Sequence, residues 1–257
     1  MFEESTQKLI AIAREKIPMV ISSSPQGGVT APIQEEGMLI EINAEILAGI
    51  ALAQFAKPGA PVLYGSVPTR VRFDTLEDCY GTAEFALYAL GCAQMARFYS
   101  IPCYSSAGVG DVKRPGIQAM VEKMYSYKEA ASSGAHYIHY AFGLLDGTNI
   151  FSPLQAVLDN ATIALAKDYV RAPRFEQGDI EAALKEITRI AEGSGIFARG
   201  IRKQLRRKVV SGTYEFVSRG GEDQVFVQAQ AKLDACLADD SNVLPDETVK
   251  QLSQKIP

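Results

Sequence analysis

The stretch YSSAGVGDVKRPG, residues 104–116, sets two glycines, an aspartate and a lysine in a turn between the apolar Ile101-Pro102-Cys103 and a helical pattern. Such a turn invites a phosphate-binding reading. A dinucleotide fingerprint would need glycine at 108, 110 and 113, however, and position 113 is Lys113; no Lys-Ser/Thr pair follows either, as a P-loop requires. Two readings remain open. Asp111 and Lys113 stand on the rim of a site built at strand ends, or Gly108 and Gly110 merely let the chain turn while Asp111 caps the next helix.

Other chemistry-bearing residues follow similar runs. Tyr64 precedes Gly-Ser-Val-Pro, Glu84 lies in YGTAEF, and His136, Tyr137, His139, Tyr140 and Phe142 crowd one segment. Aromatic faces with carboxylates suit a cationic ligand that offers no hydrogen bonds, such as a methylated ammonium. Each aromatic taken singly fits a core position as well. The two histidines are three apart, so on a strand they point to opposite faces and cannot chelate one ion; no metal site is expected. The serines at 22–24 and 105–106 lack the G-x-S-x-G elbow of a nucleophile. The basic run RGIRKQLRRK, 199–208, reads as a solvated helix face or a partner-docking surface before it reads as nucleic-acid binding.

What must position these residues is a repeated unit. Proline-led apolar runs at Pro18 (PMVISSS), Pro61 (PVLYGS) and Pro102 (PCYSSAG), with AHYIHYAFG from Ala135, read as buried strands, apolar on both sides. Helical patterns follow each: NAEILAGIALAQFA after an Asn43 cap, TAEFALYALGCAQMARFYS, GIQAMVEKMYSYKEAASS, and SPLQAVLDNATIALAKDYV with Ser152 as cap and Pro153 in the first turn. Strand then helix, four times, predicts parallel βα units of the TIM-barrel type in an α/β fold. Four units are half of a (β/α)8 barrel. Either weaker strands are hidden, for example GMLIEIN at 37–43, or the chain holds a half or truncated barrel and needs a partner. Residues 1–174 are expected to form the barrel-type catalytic region and 175–257 a helical C-terminal extension.

Composition limits the functions available. The 257 residues are 47% hydrophobic and 22% charged, with a net charge of -4 and a pI near 5.4. That is a globular balance without a polyelectrolyte signature, so no nucleic-acid partner is expected. No apolar run reaches the roughly 20 residues that span a bilayer, and the amphipathic start is unlike a signal peptide. A cytoplasmic protein with no membrane partner is expected. Cys79, Cys92, Cys103 and Cys236 form no C-x-x-C pair and are expected in the core.

The segments GVTAPIQEEGMLIEINAEILAGIALAQFAKPGAPVLYGSVP, YGTAEFALYALGCAQMARFYSIPCYSSAGVGDVKRPGIQAMVE and SGAHYIHYAFGLLDG together resemble the trimethylamine methyltransferase family, the MttB-like corrinoid-dependent enzymes. The resemblance runs from about Ile17 to Tyr169. It implies a barrel enzyme that moves a methyl group from a methylated amine to the Co(I) corrinoid of a separate partner protein. Pyrrolysine, which marks the trimethylamine branch, is not in this sequence, so the resemblance points to the branch similar to glycine betaine methyltransferases, with quaternary amines as donors. Carried over by position, Asp111 and Glu84 line the site and hold the ammonium group or a polar tail. Tyr64, Tyr104, His139 and Phe142 are placed on the substrate, and Gly108, Gly110 and Lys113 on the cofactor side. Where the family commonly has a histidine in its fourth strand, this chain has Tyr140, with His139 one residue earlier; a one-residue offset on a strand reverses the face. Tyr140 then either takes over a catalytic role or marks a degraded site. Family members are much longer, and the match is to their C-terminal part, which implies a homodimer or hetero-oligomer that completes the barrel.

Overall fold

The computed structural model describes residues 3–171, 177–193, 214–216, 220–239, 241 and 243–255. The basic run at 199–208 lies outside them. The chain divides into two compact units, Met1–Glu215 and Phe216–Pro257.

The first unit opens with helix α1 (Glu3–Arg14), strand β1 (Met19–Ser23) and the two-residue β2 (Gln26–Gly27). Helix α2 (Glu35–Ala56), β3 (Val62–Ser66), and the short β4 (Thr69–Val71) and β5 (Asp78–Cys79) follow. Then come α3 (Ala83–Phe98), β6 (Cys103–Ser106), α4 (Ile117–Ser133), β7 (Tyr137–His139), the hairpin β8 (Leu144–Leu145) and β9 (Ile150–Phe151), α5 (Pro153–Val170) and α6 (Gln177–Ala191). The second unit supplies α7 (Glu222–Leu237) and α8 (Asp246–Lys255).

Strands β1, β3, β6 and β7 pair in that order, all parallel, as the repeated βα unit predicts. The register aligns Ile21, Tyr64 and Cys103 on one face, and Ser22, Gly65, Tyr104 and Tyr137 on the other. The first face is the core. Met19, Ile21, Tyr64 and Cys103 pack there against Met38, Ile42 and Ile46 of α2 and Tyr88, Cys92 and Ala96 of α3. The opposite face is exposed at its outer strands, where β1 alternates buried and exposed residues and Tyr137 is 57% exposed, and covered between them, where Tyr104 packs with Val67, Tyr80, Phe85 and Val109. The expectation of strands buried on both sides therefore holds for β6 and fails at the outer strands β1 and β7. Among the described residues β1 and β7 each have one neighbour, so the four strands form an open parallel sheet of βα units, the arrangement of a partial barrel, and not a closed one.

No strand is hidden at 37–43. Those residues lie inside α2, where Met38, Ile42, Ile46, Gly49 and Ala53 form one buried stripe at helical spacing, and Glu35 and Glu36 occupy the first turn. Asn43 is thus not a cap; its side chain accepts from the Tyr64 hydroxyl and donates to the Tyr99 hydroxyl. By length and composition α2 would suffice to cross a bilayer, although its buried stripe is spent on this core. Two caps do follow the sequence pattern: Thr82 accepts from Phe85 N, and Ser152 from Gln155 N with Pro153 behind it. Cys79, Cys92 and Cys103 are buried as expected, but Cys236 is exposed on α7.

Candidate functional site

The segments that follow the carboxyl ends of β1, β3, β6 and β7 meet at one end of the sheet, where parallel βα folds gather their chemistry. They enclose a cleft of about 350 Å³ to which β2 gives Gln26, the β4–β5 region Arg72, Asp78 and Tyr80, the loop after β6 Asp111, and the loop after β7 Asp146. Glu77 adds a further carboxylate, so acidic groups outnumber the one arginine.

Asp111 is the hinge of this arrangement. Its carboxylate accepts from the backbone N–H groups of Tyr80 (2.8 Å) and Gly81 (2.9 Å), while its own N–H donates to Glu122 (2.9 Å). It does not cap α4, whose N-cap residue is Gly116. It anchors the segment that delivers Tyr80 to the cleft, and the Cβ of any residue replacing Gly81 would lie 2.6 Å from the Glu122 carboxyl carbon.

A line of aromatic rings runs from Tyr137, the first residue of β7, to the segment just beyond that strand's carboxyl end. Tyr137 stacks on Tyr104 at 5.5 Å, Tyr104 meets His139 at 5.2 Å, His139 meets Tyr140 at 3.8 Å, and Tyr140 stands edge-on to Tyr80 at 6.2 Å. The offset that should put His139 and Tyr140 on opposite faces does not do so. Strand β7 ends at His139, and Tyr140 enters the left-handed region (φ 65°), as does Ala141 (φ 33°), which swings both rings to one side. Consecutive non-glycine residues in that region cost free energy and persist only where surrounding structure holds them. Burial pushes the Tyr104 hydroxyl up to about 12, with Tyr140 and Tyr137 adding to it, and burial pulls the His139 imidazole below its usual range. Burial thus favours the uncharged form of both Tyr104 and His139, whose ring faces suit a cation. His136 lies apart from it, accepting from Cys103 N through Nδ1.

Several residues singled out in the sequence lie elsewhere. Tyr64 is fully buried on the helix side of the sheet with its hydroxyl held by Asn43, so it is not a wall of this cleft. Glu84 pairs with Arg70 at 3.0 Å, each about one-third exposed. Gly108 and Gly110 are buried and form no open cradle. The Cβ of a residue at 108 would collide with the Ala141 carbonyl oxygen, and Gly108 N donates to Ser126. Those glycines serve close loop packing. Lys113 and Phe142 are exposed, Phe142 by half.

Two features went unread in the sequence. Tyr80 joins the aromatic line to the cleft. Beneath the loops, Lys123 and Asp159 form an ion pair of 2.8 Å with both side chains wholly buried. Lys123 falls in the buried stripe Ala119, Lys123, Tyr127, Ala130 of α4, and a lysine on the apolar face of a helix was the available signal.

A family model described as trimethylamine methyltransferase (MTTB) matches residues 2–200. The trimethylamine methyltransferase MttB of Methanosarcina barkeri (strain Fusaro) is 33% identical over 199 residues, which is 77% of this chain and 40% of that protein. The glycine betaine methyltransferase of Desulfitobacterium hafniense is 30% identical over 80% of the chain and 43% of its own length. The L-carnitine:corrinoid methyltransferase of Eubacterium limosum is 26% identical over 96% of the chain and 52% of its own length. The chain thus spans about half the length of these relatives, or somewhat less.

Proposed function

Because the chain belongs to the trimethylamine methyltransferase family, we propose that it binds a methylated, quaternary amine in the cleft at the strand ends and presents one methyl group to the corrinoid of a partner protein. The observation that carries this reading is the pairing of an acid-lined cleft with an aromatic wall, joined through Tyr80. A quaternary ammonium has no N–H to donate, so it is held by ring faces and by carboxylates at a distance. It leaves as a neutral tertiary amine, which requires no proton from the protein. Two of the relatives are named for such donors, glycine betaine and carnitine.

A corrinoid is several times larger than a cleft of about 350 Å³, and among the described residues no group of three His, Cys, Asp or Glu could hold a metal ion. These residues fit a donor, and a corrinoid would be held by its own carrier protein. The corrinoid supplies the nucleophile. Tyr80, which lines the cleft, faces the cation, with Tyr140, His139 and Tyr104 continuing the wall behind it, the carboxylates of Asp78, Asp111 and Asp146 favour its charge, and the exposed Phe142 and Lys113 are available to the carrier. Placement in line and exclusion of water are the main contributions such a site makes. The reading assigns the chain to the cytoplasm, with residues 1–174 as its catalytic region.

A second reading is favoured by the exposed outer strands β1 and β7, on which Val20 is 38% and Tyr137 57% exposed. It takes the chain as one part of a barrel that a second copy or another subunit completes. The test of both is the loss of Co(I) absorbance when a reduced corrinoid protein is mixed with the chain and a panel of quaternary amines, with mass measured by light scattering. Conversion with one donor supports the enzyme. No conversion by a folded monomer sinks activity of the chain alone, and a monomer that converts donor sinks the need for a partner subunit.

A further inference from the structure

The loops after β6 and β7 run side by side and are joined by backbone bonds: Ala107 N to His139 O (3.3 Å), Gly110 N to Leu144 O (3.2 Å), Asp146 N to Val112 O (2.9 Å) and Gly147 N to Gly110 O (3.2 Å). Beneath them, Lys123 Nζ donates to Gly108 O at 2.7 Å and to Asp159 Oδ2 at 2.8 Å. The same Oδ2 accepts from Gly143 N at 2.8 Å, and Oδ1 accepts from Gln155 Nε2 at 2.8 Å. One partner of the ion pair thus grips the first loop and the other grips the second.

We propose that Lys123 and Asp159 are positioning residues for the aromatic wall: the pair sets the separation of the two loops and so the placement of His139 and Tyr140 against Tyr104 and Tyr80. A buried ion pair is a weak source of stability, because desolvating both charges offsets most of their attraction and an apolar pair of similar size would fill the space as well. What it adds is direction. Its donors and acceptors reach named backbone atoms, Gly108 O and Gly143 N, that flank the left-handed turn at Tyr140 and Ala141. That turn is costly for non-glycine residues and needs neighbours that over-determine it. The loops are also already in contact at Gly108, where a Cβ would collide with Ala141 O, so a small displacement of one is passed to the other. The effect on ligand binding rests on the donor site proposed above; the ordering of the loops does not.

The experiment uses the full chain carrying Lys123→Met and Asp159→Asn together, which leaves no unpaired buried charge and keeps an oxygen for Gly143 N. Amide hydrogen exchange at Ala107, Gly110, Asp146 and Gly147 reads bonds to which neither altered residue contributes an atom. Protection there is expected to fall by about tenfold or more while Tyr64 and Val67, bonded in the sheet to Pro102 O and Ser23 O, keep theirs. Affinity for tetramethylammonium, measured calorimetrically, is expected to fall by a similar factor. Unchanged protection at the four amides overturns the proposal, as does a uniform loss that includes Tyr64 and Val67. A double variant that does not fold overturns it too, since the pair would then hold the core rather than the loops. Wild-type protein that fails to bind tetramethylammonium sinks the donor site, and the exchange pattern then decides this proposal by itself.

Discussion

Glu129 on α4 should make the stability of this protein fall as pH rises through the mildly acidic range. Both of its carboxyl oxygens are buried without a hydrogen-bond partner, and burial pushes its pKa from 4.5 up to about 7. The sign follows from the two states. The folded chain keeps the proton to higher pH than the unfolded chain, so the stabilisation is complete below about pH 4.5 and is lost as pH rises to about 7, after which it is level. A shift from 4.5 to about 7 corresponds to roughly 3 kcal/mol. The neighbouring thiols do not titrate in this window, because burial holds Cys92 at about 12 and Cys103 at about 11. Glu129→Gln keeps the shape and removes the titration. Urea unfolding of both proteins from pH 4 to pH 8 should therefore show the wild type losing about 3 kcal/mol relative to the variant. A difference that stays flat across that range would refute the reasoning, because Glu129 would then have to be charged and compensated in the fold.

Asp111→Asn should lower unfolding free energy by about 2 kcal/mol, since an amide can accept only one of the two backbone bonds now made to Tyr80 and Gly81, and charge-assisted bonds are the stronger kind; chemical denaturation checks this. Glu84→Gln should change stability by less than about 1 kcal/mol, because the Arg70 pair is partly open to solvent and screened by salt. A large loss there in the same assay would show that Glu84 is tied into the site. Gly108→Ala should cost at least about 2 kcal/mol, read as a fall in melting temperature, because the position has φ 83° and its Cβ would meet the Ala141 carbonyl.

Much of the fold was legible because it is written in short-range chemistry. The proline-led apolar runs become β1, β3 and β6, and the Ser152-Pro153 signal starts α5 where it should. The stretch at 37–43 misled because a short apolar run looks alike in a strand and in a buried helix, and only the stripe from Met38 to Ala53 decides between them. The site was legible in part. Tyr104, His139 and Tyr140 come together in space and Asp111 follows β6, but the role of Asp111 as an anchor depends on backbone N–H groups about thirty residues upstream, which no local pattern displays. The face shared by His139 and Tyr140 depends on where β7 stops, a matter of one residue that alternation alone cannot fix. Tyr64 misled for another reason, since its place within a strand says nothing about which side of the sheet its ring takes until the register is known.

The strands lie in the sheet in the order in which they occur in the chain: Met19 pairs with Val62, Tyr64 with Cys103, and Tyr104 with Tyr137. Each strand of this sheet therefore docks on the strand that joined the sheet before it, and no later strand inserts between two earlier ones. During synthesis the sheet can grow by one strand and its covering helix at a time, always presenting a single fresh edge to the next arrival. Among the described residues the last such edge is β7, so Tyr137 and His139 would be the final described part of this sheet to be set in place on the ribosome.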